Sequence, residues 1–212
     1  MRTLRFVLAV LLLGILLPIS AQAQNTEFGF KGGVNIATHG GDDADDMDSR
    51  IGIIVGGSFA FNLTPMFAIQ PEFLYAMKGV KAENEFLGTL TVEQDYLELP
   101  VLARLKIPTA PGSSFRPSLL AGPALGIEIS CDIEGRDEGV TASVSCSDFG
   151  IDTKTVDFGL IFGGELGIDR GGMRIGLEAR YNLGLTSIRD GEDVGDFKNR
   201  ALSIMVTIAF GG

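Results

Sequence analysis

The segment at residues 201–210 alternates strictly between two kinds of side chain. Its even positions, from Leu202 to Phe210, are large and apolar, and its odd positions are Ala, Ser, Met, Thr and Ala. A period of two is typical of a β-strand whose faces meet different environments. An exposed edge this apolar would template aggregation, whereas a transmembrane barrel pairs its last strand with its first. The segment therefore favours a membrane barrel.

The first 23 residues have the organisation of a secretory signal peptide. Arg2 and Arg5 precede a short apolar run, and residues 21–23 form an Ala-Gln-Ala cleavage signal. No cysteine lies beside this signal to carry a lipid anchor, and no other segment reaches the roughly 20 apolar residues of a membrane helix. We expect residues 1–23 to be a signal peptide that is cleaved, and residues 24–212 to form one domain in the cell envelope.

Eight strand-like segments follow, and the connections between them alternate in length. Three connections, at 62–65, 109–114 and 169–171, are short and rich in Pro or Gly, and the other four are long and polar. Outer-membrane barrels place short turns in the periplasm and long loops outside. The sequence thus predicts an all-β fold, an eight-stranded antiparallel up-and-down transmembrane β-barrel. The long connections are 38–49, 81–88, 130–153 and 184–198, and the segments are 27–36, 50–61, 66–80, 89–106, 115–129, 154–168, 172–183 and 199–210.

The two faces of these segments separate a membrane barrel from a soluble one. One face is large and apolar, and the other combines glycines with six acidic and six basic residues. A soluble lipocalin-like barrel would favour Lys, Glu and Thr over Gly on its wet face, whereas side chains fill the interior of an eight-stranded barrel. Because an unpaired buried charge costs several kcal/mol, we predict a closed lumen with a paired charge network. Its members are Lys31, Glu72, Lys78, Glu98, Arg104, Arg116, Glu128, Asp157, Glu165, Arg174, Glu178 and Arg180.

Two residue types mark positions along the predicted strands. Phenylalanines cluster beside the short turns, where a periplasmic aromatic girdle is expected. Four prolines fall inside three of the strands and remove ladder donors there, which predicts bulges or interrupted pairing. The phenylalanines are Phe28, Phe61, Phe67, Phe115 and Phe210, and the prolines are Pro71, Pro100, Pro117 and Pro123.

The net charge of the chain and its expected location in the cell envelope limit the kinds of partner that it can bind. The formal net charge is −10, and it becomes −12 once Arg2 and Arg5 are lost with the signal peptide. Such acidity argues against nucleic acid as a partner. We expect a monomer without a cofactor in the outer membrane of a Gram-negative-type bacterium. Its expected partners are outer-membrane lipid and, during insertion, the barrel-assembly machinery.

Five motifs, in order along the chain, resemble the PorT-like outer-membrane β-barrel family, whose members are OmpA/OmpX-like eight-stranded barrels. The resemblance implies an eight-stranded outer-membrane barrel. It implies little about activity, because the family is functionally heterogeneous. The motifs are FKGGVN at 30–35, QPEFLY at 70–75, YLELPV at 96–101, LAGPALG at 120–126 and GLEARY at 176–181.

Two arrangements could indicate an enzyme. His39, the only histidine, precedes Gly-Gly-Asp-Asp, and a loop serine such as Ser49 would complete a hydrolase or acyltransferase site. No nucleophile motif accompanies them, which favours a solvated loop histidine. Glu72 and Glu98 could form a general acid/base pair, but membership of the lumen network is favoured. The sequence therefore predicts no enzyme.

Acidic residues form two clusters in the first and last long connections. Oxygen-rich loops can hold Ca²⁺ or Mg²⁺, but Met47 occupies the position where a calcium-loop series from Asp43 needs its third ligand. A solvated acidic surface is favoured, and weak divalent-cation association is the alternative. The candidate ligands are Asp42, Asp43, Asp45, Asp46, Asp48, Asp190, Glu192, Asp193 and Asp196.

The chain has two cysteines, Cys131 and Cys146, both in the longest connection. Export favours a disulfide between them over a metal site, since neither His nor further Cys joins them. Taken together, the sequence predicts a structural or interaction protein with a closed, charge-filled lumen and acidic extracellular loops. The alternatives are a porin-like channel for small solutes and, less favoured, an outer-membrane enzyme.

Overall fold

The computed structural model describes residues 26–40, 48–84, 88–137, 140–148, 150, 153–188 and 197–211. The predicted signal peptide lies outside these ranges. In the described part of the chain, no helix is long and apolar enough to cross a membrane. The strands are β1 (Thr26–Gly40), β2 (Asp48–Asn62), β3 (Phe67–Asn84), β4 (Gly88–Lys106), β5 (Phe115–Asp137), β6 (Val140–Ser145), β7 (Val156–Arg170), β8 (Met173–Gly184) and β9 (Lys198–Phe210).

Eight of these strands close into an antiparallel barrel. Each pairs with its neighbours in chain order, except that β5 pairs with β7, and β6 forms a hairpin with β5 alone. The barrel closes between β1 and β9, whose pairing runs from Phe28 opposite Phe210 to Gly40 opposite Lys198. The predicted fold class is confirmed, and the terminal strand is paired along its length.

In a soluble protein the large apolar side chains of a strand are buried, whereas in this barrel they are exposed. Along β9 the small and polar side chains are buried and the large apolar ones are exposed; Met205 is 1% exposed and Val206 is 50% exposed. The same pattern runs along β7 and β8, where Phe158, Leu166 and Leu177 point outward. A continuous apolar exterior of this kind requires apolar surroundings, as a lipid bilayer provides.

The wall of the barrel is tallest on one side. Strands β3, β4 and β5 contain 18, 19 and 23 residues, against 12 to 15 in the other barrel strands. Much of the connections expected at 81–88 and 130–153 is therefore strand, and β6 adds a further hairpin to β5. Apolar and polar residues still alternate in parts of these extensions, as Val140, Ala142 and Val144 do with Thr141, Ser143 and Ser145 in β6. The expectation of long polar connections at 81–88 and 130–153 is therefore corrected for the residues that the structure describes.

Three of the four prolines accompany interrupted pairing. The β3–β4 ladder lacks two residue pairs directly after Pro71, and the β4–β5 ladder lacks two pairs directly after Pro100, opposite Pro123. Pro117 lies in uninterrupted pairing with β7. The bulge in β5 lies elsewhere, opposite Asp95 and Tyr96, and it changes which residues of the upper part of β5 face inward.

Candidate functional site

The middle of the lumen is filled by a network of ion pairs. Lys31 Nζ lies 2.6 Å from Glu72 Oε1 and 2.5 Å from Glu178 Oε2. Arg180 donates to Glu72 Oε2 at 2.6 Å and lies 3.5 Å from Glu178 Oε1. All four side chains are at most 1% exposed. Since they come from β1, β3 and β8, the network links opposite walls of the barrel.

A second pair extends this network toward the long-loop end. Lys78 Nζ lies 2.7 Å from a Glu98 oxygen and 4.6 Å from the centre of the Tyr96 ring, a cation–π distance. Glu98 also accepts a hydrogen bond from Asn182 at 3.0 Å. Glu72 and Glu98 are therefore both engaged by buried cations, and both belong to the network that the sequence favoured over an acid/base pair.

The short-turn end of the lumen holds a second cluster of charges. Arg104 binds Glu165 and also donates to Ser118 and Gln70. Glu27 accepts from Lys106 at 2.7 Å and from Arg174 at 2.6 Å. This cluster contains three of the predicted members, Arg104, Glu165 and Arg174.

Arg116 occupies a different place from the one predicted. It pairs with Asp169 at 2.8 Å at the short-turn rim, where the two side chains are 40% and 36% exposed. The guanidinium also donates to the Ser113 carbonyl. Arg116 lies near the start of β5, and its long side chain reaches the turn rather than the lumen.

The sequence prediction missed several charges that take part in buried or partly buried pairs. Glu27 has the same parity on β1 as Lys31, and this shared face was the signal that could have found it. Lys106 is the last residue of β4, and Arg50 reaches across to Glu93 at 2.8 Å. Such contacts join residues near strand ends, where alternation alone does not fix the direction of a long side chain.

His39 lies in β1 rather than in a loop, so the expected solvated loop histidine is wrong. Its Nε2 is 3.1 Å from Gln94 Oε1, and its ring packs edge-on against Phe197. The β1–β9 ladder continues to Gly40, which places His39 opposite Asn199. Ser49 is exposed on β2, where it pairs with Val80 of β3.

Most of the acidic loop positions lie outside the described residues. Asp48, at the start of β2, is the one candidate ligand within them, and it is exposed. Among the described residues, no group of three or more His, Cys, Asp or Glu side chains is placed to hold a metal ion.

Cys131 and Cys146 form a disulfide, with Cα atoms 5.4 Å apart. The Cys146 amide donates to the Cys131 carbonyl at 3.0 Å, so the bridge ties the turn after β6 to β5. Because β6 pairs only with β5 in the described structure, the bridge constrains this hairpin and not the barrel.

We expect the double variant Cys131→Ser/Cys146→Ser to retain a folded barrel and to loosen only the β5–β6 hairpin. Closing a loop of 15 residues reduces unfolded-chain entropy by the equivalent of about 3 kcal/mol in the loop-closure model. Hydrogen exchange should rise at 132–145 and stay unchanged in β1 and β9. Faster exchange throughout the barrel would contradict this, as would two free thiols in unreduced wild-type protein by mass spectrometry.

An antiparallel barrel with an apolar exterior and a polar, filled interior defines the class of outer-membrane β-barrel proteins. Residues 21–190 match the family model described as outer membrane protein beta-barrel domain, and the chain belongs to this family. It is an outer-membrane protein. Comparison with curated protein sequences gives no significant match.

Several solved barrels resemble the chain. Neisserial surface protein A is 12% identical, with 85% of this chain and 96% of that one covered and a TM-score of 0.49. Ail of Yersinia pestis is 13% identical, with coverages of 88% and 99% and a TM-score of 0.44. The outer membrane protease OmpT of Escherichia coli is 9% identical, with coverages of 91% and 98% and a TM-score of 0.37. Similarities at this level carry no argument about activity.

Proposed function

We propose that this protein is a non-conducting outer-membrane barrel with a structural or interaction role. The observation that supports this most directly is the middle level of the lumen, where four charged side chains at most 1% exposed span from β1 and β3 to β8. Ions and solutes would have to separate these pairs to pass. Breaking a buried pair costs about 3–5 kcal/mol.

The part that would meet a partner is the tall wall formed by β3, β4, β5 and β6. The barrel fixes this wall in the membrane, and the disulfide fixes its outermost hairpin. The acidic connections at 42–48 and 190–196 would add negative charge to the long-loop end of the barrel. We further propose that these connections recruit divalent cations weakly, as unorganised oxygen sites do.

The remaining assignments of this proposal come from the sequence. They are membership of the PorT-like, OmpA/OmpX-like group, cleavage of residues 1–23, a monomeric state, and dependence on the barrel-assembly machinery for insertion. An enzymatic role is not favoured, because His39 Nε2 is engaged by Gln94 and Glu72 and Glu98 are engaged by buried cations. Wild-type protein and a His39→Gln variant should both be inactive in protease and lipid-acylation assays.

Single-channel recording tests the proposed closure. Refolded protein inserted in a planar bilayer should show no steady conductance, because the middle level of the lumen is blocked by paired charges. Insertion should be verified on the same sample, since a folded barrel migrates differently before and after boiling on a denaturing gel. A steady, ohmic conductance from verified barrels would favour the small-solute channel instead.

A further inference from the structure

The long-loop end of the lumen contains two carboxylates with no basic partner. None of the ion pairs between described residues involves Glu128 or Asp157, and both are held by neutral groups. Glu128 Oε1 accepts from the Thr153 hydroxyl at 2.5 Å, and its Oε2 accepts from Gln94 at 2.7 Å and from the Tyr96 hydroxyl at 3.2 Å. The hydrogen bonds satisfy these oxygens without neutralising their charge.

Asp157 has a similar environment on the neighbouring strand. Its Oδ1 accepts from the Thr186 hydroxyl at 2.8 Å and its Oδ2 from Asn199 Nδ2 at 2.9 Å. Asp157 is 4% exposed and pairs with Gly126 of β5, two residues before Glu128. Both residues are on the lumen-facing side of their strands, so the two carboxylates are diagonal neighbours.

An unpartnered oxygen lies in the same group. Asn199 is 3% exposed, and its Oδ1 has no hydrogen-bond partner in the described structure. Its orientation is fixed by chemistry, because exchanging the amide oxygen and nitrogen would place Oδ1 against the Asp157 carboxylate. A buried acceptor without a donor is costly, and beside two carboxylates it points to a positive ligand.

The contrast with the middle of the lumen strengthens this point. There, three basic and three acidic side chains neutralise one another, namely Lys31, Lys78, Arg180, Glu72, Glu98 and Glu178. At the long-loop end neither the partly exposed Glu128 nor the buried Asp157 forms an ion pair with a Lys or Arg among the described residues. Burying such charge is unfavourable unless an ion accompanies it.

We propose that Glu128, Asp157 and Asn199 form a binding site for a hard divalent cation of the Ca²⁺ class. Its donors are all oxygens, which Ca²⁺ prefers, and no nitrogen or sulfur donor that would suit Zn²⁺ or Cu²⁺ belongs to the set. The hydroxyl oxygen of Thr153 lies beside the Glu128 carboxylate, and that of Thr186, which also accepts from the Phe158 amide at 2.9 Å, lies beside Asp157. An open cavity of about 430 Å³, lined by Glu128 and Thr153 and by both cysteines, adjoins the Glu128 side of this site.

Terbium luminescence tests this site on the full-length barrel in detergent. The chain has no tryptophan and three tyrosines, and the Tyr96 hydroxyl lies 3.2 Å from Glu128. Tb³⁺ bound as a Ca²⁺ substitute should therefore emit on tyrosine excitation, and Ca²⁺ should displace it. Tyr96→Phe should lose most of this emission while calorimetry still detects Ca²⁺ binding.

Two nearly isosteric variants, Glu128→Gln and Asp157→Asn, should each weaken Ca²⁺ binding by about tenfold or more, because affinity depends on ligand charge. The control Glu93→Gln removes a carboxylate that already has a partner, Arg50 at 2.8 Å, and should leave binding unchanged. Each variant should show the wild-type gel shift, and millimolar Ca²⁺ should raise the melting temperature of the wild type and the control only.

A further variant separates this site from the loop clusters. Changing the acidic residues at 42–48 and 190–196 to their amides should leave the tyrosine-sensitised emission intact. Three outcomes would overturn the proposal: emission that is lost in this loop variant, Ca²⁺ binding that persists in the double variant Glu128→Gln/Asp157→Asn, or wild-type protein that binds neither ion.

Discussion

Arg180→Ala is expected to lower the free energy of unfolding by about 3–5 kcal/mol. Arg180 lies fully inside the lumen and contacts Glu72 at 2.6 Å, Glu178 at 3.5 Å and Glu98 at 3.9 Å. Without it, Lys31 alone would face both Glu72 and Glu178, so one buried negative charge would lack a partner. Equilibrium unfolding in lipid vesicles, followed by circular dichroism and by the gel shift of unboiled samples, measures the loss.

Arg170→Ala provides the control for this change. Arg170 is the last residue of β7 and is exposed at the short-turn end, so its removal should change stability by less than about 0.5 kcal/mol. A double variant, Arg180→Ala/Glu72→Gln, should recover part of the loss because it also removes one carboxylate. If Arg180→Ala behaves like Arg170→Ala, the lumen is not the packed, water-poor interior described above.

Much of the fold could be predicted from the sequence because a membrane barrel inverts the usual pattern consistently. Alternation along β9 separates Met205 from Val206, and the same rule holds for β7 and β8. The upper parts of β4 and β5 and the whole of β6 are harder to predict, because large apolar residues are few there and charged or small residues are many. Val140, Ala142 and Val144 alternate with polar residues in β6, but a run of six residues does not show which strand it pairs with.

The lumen could be predicted less completely than the fold. Alternation indicates that Lys31 and Glu178 face inward, but not that they meet, because contacts across the interior depend on how far each strand is staggered against the next. The same limit applies to Glu128 and Asp157. Their parity places them inside, whereas the absence of a basic neighbour depends on the stagger of β5 and β7.

The glycines on the inner face are needed for a second reason, which the amino-acid composition does not reveal. A Cβ added to Gly33, Gly56 or Gly122 would lie 2.0 to 2.2 Å from a carbonyl oxygen of the adjacent strand. Backbone at this distance cannot be moved aside as a flexible side chain can. These glycines therefore allow neighbouring strands to approach where the barrel wall bends, in addition to leaving room for the charged side chains.

Gly33→Val should disrupt closure of the barrel. Gly33 pairs with Met205 across the β1–β9 junction, and its added Cβ would lie 2.0 Å from the Ile204 oxygen and 2.7 Å from the Met205 Cα. Overpacking costs about 1–3 kcal/mol or more. Here the clash lies between β1 and β9, the first and last strands, whose pairing closes the barrel. Most of the unboiled protein should therefore migrate at the position of the unfolded chain on a denaturing gel.

Gly32→Val is a matched control one residue away. Gly32 lies on the opposite face of β1, and the nearest atom to its added Cβ is Val55 Cγ2 at 3.9 Å. The two variants have the same composition and the same β-propensity, so a difference between them isolates the clash at the junction. Gly32→Val should fold like the wild type. Equal folded fractions for both variants would show that β1 and β9 are not held at the close approach on which closure of the barrel depends.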